Sequence, residues 1–373
     1  MKAYLYLYQD GYKQESLLES LGLTIGKKKI RIPIIQGGMG IGVSRSGLAG
    51  AVAKNGGVGV IASVALGLIS PYFKKKSDYY EANKLALRDE VRKAREIAGY
   101  GVIGVNCMVA IADYEDMVRV SVENGADMII SGAGLPTSLP ALTKGYPDVA
   151  LVPIVSSVKA AQVIIKKWER SHSRIPDAII YEHPKYAGGH LGASHDELEH
   201  PKYDYPAVIP GLVEAVRPFG NIPIIAAGGI WDAEDIREVM ALGASGVQMA
   251  SRFVCTYECD ADIKFKEIYI SAGDEDLAIV HSPVGLPGRA INTAFMKSGK
   301  KAKGKGCMAN CLKVCAKRDM GEDFCIALAL KNAVTGDIKN GLFFAGTNAP
   351  KSSKLVSVAE LMEELSEGFA PIT

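Results

Sequence analysis

Eight times between residues 32 and 249 a short apolar run ends in small or glycine residues and passes into a helical pattern. The runs lie at 32–35, 58–61, 102–106, 128–130, 149–154, 178–181, 222–226 and 246–249. They are apolar almost throughout, as strands are when helices cover both faces of a parallel sheet. Eight repeats of strand, loop and helix predict an α/β fold, a parallel (β/α)8 TIM barrel. An open doubly wound sheet would concentrate its glycines after the first strand. Here they follow most of the runs.

The length of 373 residues is reached by such barrels when they carry insertions. A formal charge of +2 gives no global case for nucleic acid or membrane binding, so a small-molecule substrate is the expected partner. No apolar run reaches about 18 residues and the N-terminus has no signal-peptide pattern, which makes a cytoplasmic location the expectation. A homodimer is compatible with all of this. Seven cysteines without a secretion signal argue against a disulfide framework and leave free thiols or a metal site.

Barrel chemistry sits where strands end, and phosphate is often held after strands seven and eight. Gly228-Gly229 and Ala250-Ser251 occupy those two places, where backbone N–H groups can receive a phosphate. Gly37-Gly38-Met39 follows the first strand and could line a flat ring, with Asn106 after the third strand bonding its edge. After the sixth strand, Ala187-Gly188-Gly189-His190 joins a glycine platform to the one side chain that titrates near neutrality. A phosphorylated planar cofactor beside His190 is implied, and flavin mononucleotide (FMN) fits best.

These segments together resemble the nitronate monooxygenase (2-nitropropane dioxygenase) family, over roughly residues 30 to 255. They are also similar to the flavin-dependent type II enoyl-acyl carrier protein reductases. The resemblance implies an FMN-dependent oxidoreductase with His190 as catalytic residue. It implies FMN contacts at Gly38, Met39, Asn106, Gly188 and Gly189, and at Gly228, Gly229, Ala250 and Ser251. Nitronate oxidation with dioxygen is the leading reaction, His190 taking the α-proton of a nitroalkane or orienting the nitronate. The alternatives are NAD(P)H-dependent reduction of an enoyl thioester, and a flavin/iron–sulfur redox sensor or electron carrier. Leu191 stands where the monooxygenases often have arginine.

Beyond the barrel (1–255) the sequence predicts an insertion or lid over 256–340 and a return segment with the closing helix over 341–373. Eight basic residues and no acidic ones fall between Lys297 and Arg318. Cys307, Cys311 and Cys315 are spaced by four there, so a helix would align them, and Cys325 could join as a fourth ligand of an iron–sulfur cluster or zinc. Thr347 and Asn348 are placed for polar contacts to cofactor or substrate. His172, His183, His195, His200 and His281 lack a glycine platform and are expected at the surface or in loops.

Overall fold

The computed structural model describes residues 22–297, 307, 309–321 and 324–370. A hairpin, β1 (Leu23–Ile25) and β2 (Lys28–Ile30), precedes eight barrel strands. These are β3 (Ile34–Gln36), β4 (Val58–Ala62), β5 (Val102–Met108), β6 (Met128–Gly132), β7 (Ala150–Val155), β8 (Ile179–Glu182), β10 (Ile224–Ala227) and β11 (Gly246–Met249). They close in parallel, each beside its chain neighbour, with β11 returning to β3. The two-residue β9 (Gly189–His190) lies outside the barrel.

Side chains alternate across each strand, and one set fills the barrel. Val58, Val60, Ile130, Val152, Ile180 and Ile225 are all fully buried in this interior cluster. Each contributes about 1.5–3 kcal/mol of burial as an upper figure. The alternate set, including Ile61, Val105, Ile129 and Tyr181, packs outward against the helices.

The segment before the first barrel strand, with Lys27, Lys28 and Lys29, has a structural role. Gly26, at φ +57°, makes the tight turn of the β1–β2 hairpin. Ile25 and Ile30 then close the N-terminal end of the barrel interior. Lys27 and Lys28 face outward and pair with Asp148 and Asp127 at 2.5 and 2.9 Å.

The cap is a second, smaller sheet. β12 (Leu277–His281) and β13 (Pro287–Ile291) form an antiparallel hairpin, and β13 also pairs with β9 and with β14 (Phe343–Phe344). The returning segment therefore enters the cap sheet rather than the barrel sheet. Its closing helix Val358–Ser366 begins with a capping box, Ser357 accepting from the Glu360 N–H and Glu360 from that of Ser357. Asp232 caps the helix Ala233–Ala241, accepting from the Glu234 and Asp235 N–H groups, and the Asp235 carboxylate accepts from Trp231 N–H at 2.7 Å. No helix among the described residues is long and apolar enough to cross a membrane.

Candidate active site

At the C-terminal ends of the barrel strands lies a cavity of about 510 Å³. All ten residues expected at the site line it. Gly38, Met39 and Asn106 come from the loops after β3 and from β5, and Gly188, Gly189 and His190 from the β9 platform. Gly228, Gly229, Ala250 and Ser251 complete it from the ends of β10 and β11.

The glycines keep space that a Cβ would fill. A Cβ on Gly38 would lie 2.5 Å from Asn106 Cβ, and one on Gly188 2.5 Å from the backbone nitrogen of Gly346. Gly228 and Gly229 take φ of +95° and +82°, which side-chain-bearing residues rarely adopt. The turn they make is pinned from outside. Tyr205 Oη donates to Gly228 O at 2.5 Å and Asn348 Nδ2 to Gly229 O at 2.7 Å. Asn348 thus lines the cavity while holding its wall, whereas Thr347 bonds to Tyr186 O. In the Ser131-Gly132-Ala133-Gly134 segment the glycines face the cavity, but Ser131 is fully buried behind it, bonded to Cys107 O and Tyr114.

His190 is brought to the cavity by its pairing with Gly288 in β13. Its Nε2 lies 2.7 Å from Ser282 Oγ, and its ring meets Phe344 edge-on at 5.1 Å. Burial lowers its pKa to about 4, so the imidazole is neutral at neutral pH. Arg289 supports the platform from behind, donating to Ala187 O at 2.5 Å.

Sequence reasoning missed two polar groups in the cavity floor. On β8, Ile180 points into the barrel, so Glu182 two residues later points the same way. Burial raises its carboxyl to about 7, and no charged neighbour offsets the shift. Gln248 on β11 faces the same floor, and its Oε1 is buried with no hydrogen-bond partner among the described residues. The signal for Glu182 was strand parity, concealed because the run before it is apolar on both faces.

Two expectations are corrected. His183 is buried, 1% exposed, among the rings of Tyr181, Tyr186 and Tyr205. Burial lowers its pKa to about 4 despite Asp204 at 3.6 Å. The cysteine segment is also not helical. Asn310 adopts a left-handed φ of +52°, Leu312 bridges to Ile111, and Ala112 and Lys313 exchange backbone bonds with Cys311 and Ala110. The peptide groups are thereby committed to the 110–112 loop, and a helix is unavailable to them.

Cys311 faces the cavity. Burial first, then the nearby Cys325, Cys307 and Cys315, push its thiol up to about 12. The four cysteines are therefore neighbours, yet no three His, Cys, Asp or Glu side chains among the described residues are arranged to hold a metal. Most of the basic stretch, 298–306 and 308, lies outside the described residues.

A glycine-lined cavity at the strand ends of a parallel barrel, roofed by a histidine, defines an enzyme site. The chain belongs to the nitronate monooxygenase family, whose profile matches residues 22–368. This places it among oxidoreductases. It is 27% identical over 278 residues to (3aS,4S,5R,7aS)-5-hydroxy-7a-methyl-1-oxo-octahydro-1H-indene-4-carboxyl-CoA dehydrogenase of Mycobacterium tuberculosis, covering 74% of this chain and 68% of the relative. To a probable nitronate monooxygenase of Staphylococcus aureus it is 27% identical over 314 residues, covering 74% and 79%. The solved structure of FabK from Thermotoga maritima superposes with a TM-score of 0.67 at 26% identity, over 95% of this chain and 94% of that one.

Proposed function

We propose that this chain is an FMN-dependent enzyme that oxidises nitronates with dioxygen. The observation that carries the reading is the convergence of the glycine cradle, the unpartnered Gln248 oxygen and a neutral His190 on one cavity. FMN, when bound, supplies the site's capacity to accept and pass on electrons. Gly38, Met39, Asn106 and Gly189 would hold its ring, and the turns at Gly228-Gly229 and Ala250-Ser251 its phosphate.

His190 orients the nitronate instead of deprotonating a nitroalkane. An imidazole whose pKa has fallen to about 4 is a poor base but remains a donor through one ring nitrogen. Ser282 occupies Nε2, and no described group bonds to Nδ1. With Nε2 accepting from Ser282, the Nδ1–H would donate to a nitronate oxygen. Phe344 and the β13 strand fix the ring.

A second reading, NAD(P)H-dependent reduction of an enoyl thioester, is favoured by the apolar wall under the cap. Val254, Phe265, Leu312, Ile326, Leu330 and Leu342 line the cavity there, giving room for an acyl chain. The carboxyl-CoA dehydrogenase relative is in keeping with an acyl thioester ligand. Anaerobic stopped-flow separates the readings. Bleaching of the flavin band by ethyl or propyl nitronate, followed by oxygen uptake, is expected. Fast bleaching by NADH or NADPH with none by nitronate would transfer the chain to the reductase reading.

A further inference from the structure

Two polar groups in the cavity floor have no protein partner, and the fold places them in one row. Glu182 is in register with Ala227, and Ala227 with Gln248, on three adjacent parallel strands. Strand spacing sets the Cα atoms of Glu182 and Gln248 roughly 10 Å apart. Only the small side chain of Ala227 stands between them, and all three residues line the cavity. The Gln248 Oε1 is buried and accepts no hydrogen bond, and the Glu182 carboxyl is shifted by burial alone. Unmatched buried polar groups carry a substantial desolvation cost, so a site that retains them is built for something that matches them.

The surroundings identify what that is. On the strands beside Glu182 the inward neighbours are Ile154, Ala227 and Gln248, none of them charged. Four other titratable side chains line the cavity: His190, Tyr186, Tyr269 and Cys311. Of these, His190 is held neutral with a pKa of about 4, Cys311 is pushed up to about 12, and the Tyr269 hydroxyl is raised by burial. No lysine, arginine or aspartate lines the cavity among the described residues. A carboxylate here has nothing to pair with, whereas a carboxylic acid is a hydrogen-bond donor. Beside it stands an acceptor oxygen. The complement of a donor next to an acceptor is a flat ring edge bearing a carbonyl and an N–H, as in the pyrimidine half of a flavin.

Resting on the flavin reading above, we propose that Glu182 and Gln248 form a donor–acceptor pair that grips the polar edge of the flavin ring, with Glu182 protonated in the complex. The acid O–H donates to a ring carbonyl, and Gln248 Oε1 accepts from the ring N–H. Binding at a pH where free Glu182 is ionised then takes up one proton from solution. Above the Glu182 pKa the dissociation constant rises tenfold per pH unit. In the Glu182→Gln variant an amide N–H donates at every pH, so the slope disappears.

The test is the dissociation constant of FMN and of riboflavin, read by flavin fluorescence between pH 5.5 and 9. Riboflavin removes any contribution from ionisation of the phosphate. The expected result is a wild-type constant that rises about tenfold per unit above pH 7 for both flavins, and a flat profile for E182Q. A flat wild-type profile, an E182Q profile as steep as wild type, or a folded E182Q that no longer binds flavin would each overturn the pair. Should E182Q fail to fold, calorimetry of wild-type protein with riboflavin at pH 8, in two buffers of different ionisation heat, reads the proton directly. Uptake of one proton supports the pair and uptake of none overturns it. FMN that binds with no pH dependence defeats this inference alone. Failure of FMN to bind at any pH defeats the flavin reading and takes the pair with it.

Discussion

His190 Nε2 and Ser282 Oγ lie 2.7 Å apart across 92 positions of sequence. One residue follows a barrel strand and the other stands in the turn of the cap hairpin, next to β12. The bond fixes the imidazole between the hydroxyl and the edge of Phe344. It also decides which ring nitrogen can face a substrate.

Ser282→Ala should therefore lower kcat/KM for ethyl nitronate by about 3- to 10-fold, the equivalent of one hydrogen bond near 1 kcal/mol. His190→Ala should lower it by about 10²–10³, as loss of a preorganised donor does. Both variants should retain flavin on gel filtration. Unchanged kinetics in Ser282→Ala would mean that β13 and Phe344 orient the ring without the hydroxyl.

The pH dependence of stability carries a sign that isolates Glu182. Its carboxyl is raised to about 7 in the native chain by burial, against roughly 4.3 when unfolded. The unfolded chain gives up this proton first as pH rises. The native advantage is full below about 4.3 and is lost as pH climbs through 7. Flavin-free E182Q should match wild type near pH 4.5 and gain on it toward pH 8, by on the order of 1 kcal/mol after discounting for exposure to the cavity. Thermal melts across this range check it, and a gap that does not vary with pH would show that Glu182 titrates normally.

Adjacent glycines of the platform should fail for different reasons. A Cβ on Gly188 would collide with the backbone of Ala345 and Gly346 at 2.5–2.6 Å, so Gly188→Ala must displace the return segment. Overpacking of this kind costs about 1–3 kcal/mol. Gly189 has open space, its nearest neighbour being Phe344 at 3.8 Å, but its φ of +72° strains any other residue by about 1–2 kcal/mol. Denaturant melts should show both losses. Flavin affinity should fall further in Gly188→Ala, and equal affinities would place the return segment outside the site.

Thiol chemistry should follow burial. All seven cysteines are free, and Cys307 and Cys325 alone are partly exposed. Cys107, Cys259 and Cys311 are pushed up to about 12 by burial and should resist iodoacetamide at pH 8. Peptide mapping should find Cys307 and Cys325 modified first. If those two react only after a chelator is added, they share a metal with their neighbours.

The barrel was legible because parallel strands covered on both faces read as unbroken apolar runs. Strand ends were less so. The runs at 102–106 and 178–181 extend in the structure to Met108 and Glu182, since polar or bulky residues continue the ladder into the cavity. The ten residues that line the cavity as expected were legible in the sequence, five of them as glycines at strand ends. Their partners were not. Ser282, Phe344 and Arg289 reach the site only through pairing of β9 with β13 and of β13 with β14, which no local pattern encodes. His183 was expected at the surface or in a loop because it lacks a glycine platform, yet Tyr205, from a helix 22 residues on, closes over it. The regular cysteine spacing suggested a helix, but bonds to the 110–112 loop outweigh it.

The placement of β9 has one more consequence. By chain connectivity His190 belongs to the barrel, but by hydrogen bonding it belongs to the roof, through Gly288 and Ser282. A roof that swings away to admit a ligand carries the histidine with it. Displacing the roof and removing the histidine are thus one event, so a site opened in that way is also a disarmed one.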